Sequence, residues 1–113
     1  MKRLLIIVFS GFLAAGAAQA KSSTGWASYY KMGKWTANGE RYNPNGLTAA
    51  HRTLPFGTKV LVTNPGNGKS VIVRINDRGP FSKKRVLDLS FGAAKIVGLV
   101  RAGVAKIEFK VLN

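Results

Sequence analysis

Very few side chains in this sequence can carry proton-transfer chemistry. The 113 residues include four acidic residues and one histidine, namely Glu40, Asp77, Asp88, Glu108 and His51. Cysteine is absent, which excludes disulfides, thiol nucleophiles and thiolate metal sites. Because a protein metal site normally takes three or four such ligands, we expect no metal ion. No phosphate-binding G-x-x-x-x-G-K or nucleophile G-x-S-x-G motif occurs, so no cofactor is expected.

Asp77 has the most distinctive position among the acids. It follows the alternating apolar segment 71–76, and Gly79 and Pro80 then turn the backbone. A strand end that opens onto a loop surface is where a scaffold presents a functional group. Asp77 could equally pair with Arg78 or cap the turn, and these residues alone leave both interpretations open.

The remaining candidates have plainer interpretations. Asp88 lies between leucines, where a carboxylate typically bonds backbone amides or a nearby arginine. Glu108 lies between two lysines on one strand face, which indicates a solvated carboxylate. Glu40 lies in a polar loop and could be surface polarity alone. His51 could be a structural histidine or a hydrogen-bond donor to a substrate.

Short segments of alternating polarity must position these groups. The pattern predicts a hairpin with strands at 58–64 and 70–76, a short strand or turn at 47–51, and further strands at 26–30, 86–90 and 105–111. Ser90 is the predicted N-cap of a short helix that ends before Gly98. Residues 31–46 are polar and Gly-rich, which predicts a long surface loop. Many short strands with one or two short helices predict an all-β fold, a small barrel.

Residues 1–20 have the pattern of a secretory signal peptide. Lys2 and Arg3 precede an apolar stretch over 4–18, and Ala18-Gln19-Ala20 is a small-residue cleavage site. An uncleaved anchor is the alternative. Residues 21–113 are long enough for one small domain. We therefore expect an exported, periplasmic and monomeric protein, with no lipid-attachment cysteine and no stable membrane anchor.

Basic side chains dominate the composition. Eighteen Lys and Arg residues against four acidic ones give a net charge of +14. Such an excess attracts polyanions, including nucleic acids, anionic lipids and acidic wall polymers. Export favours the envelope polymers, so no nucleic acid partner is expected. A solvated basic surface without a specific partner is the plainer alternative.

Four phrases resemble the rare lipoprotein A (RlpA) family: GWASYY, TANGERYNPNGLTAAHRTLPFGTKVLVTN, NGKSVIVRINDRGPF and RVLDLSFGAAKIVGL. The resemblance runs from Gly25 nearly to the end of the sequence. It implies a six-stranded double-psi β-barrel over 21–113 and a peptidoglycan lytic transglycosylase activity on glycan strands stripped of stem peptides. The family's functional residues match Glu40, His51 and Asp77. The lipobox cysteine and C-terminal peptidoglycan-binding domain of many relatives are not found here, so we do not expect their anchoring or septal targeting.

The resemblance implies a reaction that one carboxylate can perform. Asp77 would act as the general acid and base, protonating the glycosidic oxygen and then accepting the proton of the muramic acid 6-hydroxyl. The product is a 1,6-anhydromuramyl end. Among the aromatic residues, Tyr30, Trp35 and Tyr42 are expected to stack on sugars, whereas Trp26 is expected to fill the core. Arg78 is a candidate contact for substrate carboxylates.

Two other functions remain open from the sequence. The first is a non-catalytic, expansin-like module that binds peptidoglycan or another polysaccharide. The second is a basic protein that binds nucleic acid or anionic membranes by charge, which predicts a steep salt dependence and no requirement for Asp77. The joint presence of Glu40, His51 and Asp77 favours the enzyme.

Overall fold

The computed structural model describes residues 22–112, which form six strands and one short helix. In chain order the elements are β1 (Ser22–Tyr30), β2 (Thr48–Ala50), β3 (Lys59–Asn64), β4 (Lys69–Asp77), β5 (Arg85–Ser90), α1 (Phe91–Ile96) and β6 (Ala105–Val111). The predicted strands and helix are present, and 31–46 is a loop with one isolated bridge, Trp35–Arg41. The predicted signal peptide, residues 1–20, lies outside the described residues.

The strands close into a barrel in the order β1-β5-β2-β4-β3-β6. The β1–β5 and β2–β4 pairs are parallel, and the other four pairs are antiparallel. The predicted hairpin is the β3–β4 pair, in which Lys59 lies opposite Arg74 and Asn64 opposite Lys69. The all-β barrel prediction is confirmed.

Alternation along the strands places the core inside the barrel. In β3 and β4 every second side chain is buried, because successive side chains point to opposite faces. The largest fully buried residues are apolar: Val60, Val62, Val73, Ile75, Leu87, Leu89, Val97, Leu99 and Ile107. The prediction that Trp26 fills the core is wrong. Ala27 occupies the inward position with 0 % exposure, so its neighbour Trp26 points outward and is 46 % exposed.

Two local features concern the ends of elements: the start of β1 and the N-terminus of α1. β1 begins at Ser22, four residues before the predicted strand at 26–30, because Ser22 to Ala27 pair with β6. α1 is capped by Ser90, whose Oγ accepts the Ala93 N–H and donates to the Gly46 carbonyl. Within residues 22–112 there is no helix long and apolar enough to cross a membrane.

A bulge at the end of β4 sets the direction of the residues that follow. Ala49 pairs with Ile75 and Ala50 with Asp77, so β4 contains one residue, Asn76, that has no counterpart in β2. The alternation breaks there, because Ile75 and Asn76 are both buried while Asp77 is half-buried. A bulge bends its strand and redirects side chains. In this barrel it brings Asp77 to the loop surface.

Candidate active site

Asp77 is held by hydrogen bonds that differ between its two carboxylate oxygens. Oδ1 accepts the backbone N–H of Ala37 at 2.8 Å and that of Arg78 at 2.9 Å. Oδ2 accepts the Tyr30 hydroxyl at 3.1 Å. Oδ1 is therefore occupied by two backbone donors, whereas Oδ2 has a single side-chain donor and is the less constrained oxygen.

His51 follows β2 and lies beside the same strand end. Its backbone N–H donates to the Asp77 carbonyl at 3.2 Å. Its Nδ1 accepts the N–H groups of Thr53 at 3.1 Å and Leu54 at 3.0 Å, so the proton of the neutral ring is on Nε2. Burial, together with the positive charges of Arg52 and Arg78, lowers the pKa of His51. The ring is thus a neutral Nε2–H donor.

Glu40 is held by three side chains, two of which lie on β4. Arg74 contacts it through both terminal nitrogens, Nη1 to Oε2 at 2.5 Å and Nη2 to Oε1 at 3.1 Å. Asn38 and Asn76 each donate a side-chain amide at 3.0 Å. These hydrogen bonds lower the pKa of Glu40 to about 2. Glu40 is therefore ionised at neutral pH and is not a proton donor.

The structure brings the three predicted residues to one point through the backbone of Asn76 and Asp77. The Asn38 N–H donates to the Asn76 carbonyl at 3.2 Å, beside the Asn76–Glu40 contact. The His51 N–H reaches the next carbonyl, that of Asp77. Within residues 22–112, neither the Glu40 nor the His51 side chain hydrogen-bonds to the Asp77 carboxylate. Both side chains hold loops around the acid instead of contacting it.

The two predicted tyrosine platforms differ from the expectation. Tyr42 is 7 % exposed, and its ring stacks on Tyr30 with centroids 4.6 Å apart. Its hydroxyl donates to the Tyr30 carbonyl, so its ring is not accessible to a sugar. Tyr30 is half-buried, and burial next to Asp77 raises the pKa of its hydroxyl, which remains protonated. Its observed contact is with the acid.

Arg78 and Trp35 are the other two predicted binding residues, and they differ in how far their side chains are engaged by the protein. Arg78 donates to the carbonyls of His51 and Leu54 and stacks on Phe56 at 4.0 Å, so the observed contacts bind the His51 loop and not an open surface. Trp35 is 65 % exposed, with Arg41 over its ring at 5.6 Å. Trp35 remains available as a platform.

Several residues at the site were missed by the sequence analysis. Arg74 and Asn76, which hold Glu40, lie on the predicted strand. They are 34 and 36 positions from Glu40 in the sequence, and hydrogen bonds over such separations have no local signature. The exposed Phe81 was missed because a phenylalanine after a strand is usually a core residue.

Asp88 has its predicted structural role, since it pairs with Arg85 at 2.9 Å and accepts from Ser28. Within 22–112 there is no cluster of three metal-ligating side chains.

Comparison with known families begins with a sequence profile. Residues 22–109 match the double-psi β-barrel family described as "Lytic transglycolase". This match covers β1 to β5, most of β6 and the three predicted site residues.

Curated relatives give the same indication. The chain is 56 % identical over 97 residues to a probable endolytic peptidoglycan transglycosylase RlpA of Nostoc sp. (81 % of this chain and 26 % of that protein). It is 54 % identical over 94 residues to the endolytic peptidoglycan transglycosylase RlpA of Pseudomonas aeruginosa (80 % and 28 %). The chain thus spans about a quarter of the length of these relatives.

Solved structures support the fold. The Streptomyces papain inhibitor superposes with a TM-score of 0.66 at 27 % identity, covering 82 % of this chain and 96 % of that one. An expansin of Clavibacter michiganensis superposes with a TM-score of 0.69 at 22 % identity, covering 82 % and 51 %. The closed six-stranded barrel is therefore shared with these proteins.

Proposed function

Because the chain belongs to the RlpA-like lytic transglycolase family of double-psi β-barrels, we propose that it is a peptidoglycan lytic transglycosylase. Its substrate is the glycan strand, stripped of stem peptides, and its products end in 1,6-anhydromuramyl residues. The protein acts in the periplasm as a monomer after removal of residues 1–20. Asp77 is the general acid and base.

The observation that carries the proposal is the unequal bonding of the Asp77 carboxylate. Two backbone N–H groups hold Oδ1, which favours placing the proton on Oδ2. The Tyr30 hydroxyl lies 3.1 Å from Oδ2, and its raised pKa keeps it a neutral neighbour. The acid is thus oriented before the substrate arrives, which lowers the cost of positioning it in the transition state.

One carboxylate is sufficient for both proton transfers. The Oδ2–H group first protonates the glycosidic oxygen, and the bond from that oxygen to the anomeric carbon breaks. The resulting carboxylate then accepts the proton of the muramic acid 6-hydroxyl, whose oxygen bonds to the anomeric carbon. No water is consumed, and Asp77 ends protonated. Glu40 is unsuited to the acid step, because its pKa is about 2.

His51 and Glu40 have supporting roles in this scheme. The Nε2–H of His51 donates to a polar oxygen of the bound strand, because Nδ1 is already occupied by two backbone donors. Glu40 positions the loop whose Ala37 N–H holds Asp77, through its contacts with Arg74 and Asn76. Trp35, exposed on the same loop, is a sugar platform.

Asp77→Asn is the direct test. We expect the variant to lose anhydromuramyl products by at least about 100-fold when purified glycan strands are digested and analysed by mass spectrometry. The amide preserves the size of the side chain and can still accept the Ala37 and Arg78 N–H groups. Glu108→Gln is the matched control, since it removes an exposed acid outside the site and should retain full activity.

Two results would oppose the proposal. Products that persist in Asp77→Asn would remove the acid from the reaction. If neither wild type nor variant forms products while both sediment with glycan, the protein is a binding module.

A further inference from the structure

Phe81 is more exposed than any other large apolar side chain in the described part of the chain, at 87 %. Its ring has one edge beside Gly79, where a Cβ would lie 3.6 Å from the Phe81 Cε2. The flanking Gly79 and Pro80 are buried. The protein therefore presents an exposed aromatic ring next to a packed turn, and a ligand that covered the ring would remove this apolar surface from water.

Arg52 fixes the loop that carries Phe81. Its Nη1, which has two N–H groups, lies within hydrogen-bond distance of three carbonyls: those of Pro80 at 2.9 Å, Ser82 at 3.1 Å and Arg85 at 2.9 Å. The contacts of one guanidinium nitrogen thus hold the backbone on both sides of Phe81. Such a loop loses little conformational freedom when a ligand binds, because it is already ordered.

The Phe81 loop is coupled to the proposed acid. Phe81 is four residues beyond Asp77, which limits the separation of their Cα atoms to about 14 Å. Arg52 follows His51, and the His51 N–H donates to the Asp77 carbonyl at 3.2 Å. The loop that carries Phe81 and the strand end that carries Asp77 are therefore both bonded to the adjacent residues His51 and Arg52.

The surroundings of Phe81 define the ligand chemistry. A flat apolar ring suits the C–H face of a pyranose, and an aromatic side chain contributes contact area at a low cost in ordering entropy. Lys83 and Lys84 on the same loop are exposed and positively charged. Their charges suit a polymer that combines sugar faces with carboxylates, as the lactyl groups of muramic acid do.

We propose that Phe81 and the Arg52-fixed loop over residues 80–85 form a substrate subsite beside Asp77. Phe81 stacks on one sugar of the glycan strand, and Lys83 and Lys84 attract its carboxylates. Arg52 is a positioning residue that acts through Phe81. This inference rests on the proposed function for the identity of the strand, and it adds a binding subsite to the proton-transfer site.

Phe81→Ala tests the platform in two assays. In the Asp77→Asn background, we expect the affinity for purified glycan strands to fall about tenfold, measured by sedimentation or calorimetry. In the otherwise wild-type protein, KM for glycan should rise by a similar factor with kcat unchanged. Phe81→Trp should restore both values. The thermal unfolding midpoint should not move, because Phe81 is exposed.

Ile72→Ala is the matched control. Ile72 is 49 % exposed on β4 and lies five residues before Asp77, about 16 Å along the strand. Its replacement should leave glycan affinity and KM unchanged. Equal losses in Ile72→Ala and Phe81→Ala would mean that any exposed apolar group contributes, and would overturn the subsite.

A double-mutant cycle tests the role of Arg52. Arg52→Met should weaken glycan binding in the presence of Phe81 but have little further effect in Phe81→Ala. Because Arg52→Met removes contacts to backbone carbonyls, it should lower stability in either case. A purely structural role would give additive losses of glycan affinity in the double variant. Lys83→Ala combined with Lys84→Ala should weaken binding at low salt, with the loss disappearing when the carboxylates of the glycan have been amidated.

The outcomes separate this inference from the proposed function. If wild type forms anhydromuramyl products but Phe81→Ala retains normal affinity and KM, the subsite is wrong and the activity stands; Phe81 then serves another contact, such as a protein partner. If wild type forms no products while Phe81→Ala still loses glycan affinity in the Asp77→Asn background, the subsite stands and the activity is wrong.

Discussion

At the scale of single residues, Asp77 and His51 each use one side-chain atom to hold the backbone, and the other atom is the one that we propose to face substrate. Asp77 Oδ1 accepts the backbone N–H groups of Ala37 and Arg78, and His51 Nδ1 accepts two N–H groups of its own loop. The orientation of the second atom, Oδ2 or Nε2, follows from these bonds. Structural and chemical roles can therefore be separated by substitution at His51.

His51→Asn should preserve the loop and lose the donor. The asparagine Oδ1 can take the place of Nδ1 and accept the N–H groups of Thr53 and Leu54, as in an Asx turn. We expect its free energy of unfolding to change by less than about 0.5 kcal/mol, whereas His51→Ala should lose about 1–2 kcal/mol. Both variants should lower kcat/KM by about tenfold or more.

Urea unfolding and the glycan digestion assay check this pair of variants. Because the pKa of His51 is lowered, the folded protein keeps the ring neutral below the pH at which an unfolded histidine becomes protonated. Protonation would occur at Nδ1, which would then no longer accept the N–H groups of Thr53 and Leu54, whereas the Nε2–H donor would remain. The wild-type rate should therefore not fall near pH 6.5 through loss of these loop hydrogen bonds. Full activity in His51→Asn would rule out Nε2 as a substrate contact.

At the scale of elements, the site depends on a loop bonded to a strand. The loop over residues 31–46 reaches β4 through Glu40, Asn38 and Ala37, and the bulge at Asn76 provides the facing groups. The surface loop was predicted from polarity and glycine content. Its docking was not, because hydrogen bonds between distant positions leave no periodic pattern.

The same contrast holds for the barrel. Alternation located the strands to within a few residues, since burial of one strand face imposes it. The closure order was not derivable from alternation, because parallel pairs such as β1–β5 join strands that are far apart in sequence; the double-psi topology came from the resemblance. Tyr42 was assigned to the sugar face for a related reason: sequence does not reveal which aromatic ring of a loop packs inward.

Glu40→Gln tests the connection between loop and strand. The pKa of Glu40 is about 2 in the folded protein against 4.5 ordinarily, so its stabilisation is present above about pH 4.5 and is lost as pH falls towards 2. Since the side chains of Arg74 and Glu40 are 41 % and 36 % exposed, solvent screening limits the loss at pH 7 to about 1 kcal/mol.

Urea unfolding at pH 7, 5 and 3 measures this difference. The gap between wild type and Glu40→Gln should be similar at pH 7 and 5 and smaller at pH 3. Glu108→Gln, which removes an exposed carboxylate on β6, should show a much smaller gap throughout. A gap for Glu40→Gln that does not change with pH would mean that its charge contributes nothing to stability.

At the scale of the whole molecule, we expect charge to control the approach to the proposed substrate. The four acidic side chains can neutralise at most four of the 18 basic ones, and two of them are already paired, with Arg74 and Arg85. The chain therefore carries a large excess of positive charge, whereas its proposed catalytic group is a single carboxylate. We expect long-range attraction to bring a polyanion to the surface, and stacking and hydrogen bonds at the proposed site to select its position.

Salt should therefore weaken binding to intact, carboxylate-bearing peptidoglycan more than it weakens cleavage of strands already bound. The Debye length falls from about 10 Å at 0.1 M salt to about 3 Å at 1 M, so the affinity of Asp77→Asn for sacculi should decrease steadily over this range, by at least about tenfold. Sacculi with amidated carboxylates should bind more weakly at 0.1 M and respond little to salt. If both preparations bind equally at every salt concentration, contacts at the site rather than net charge determine the affinity, and the loss in Phe81→Ala should then be the same at low and high salt.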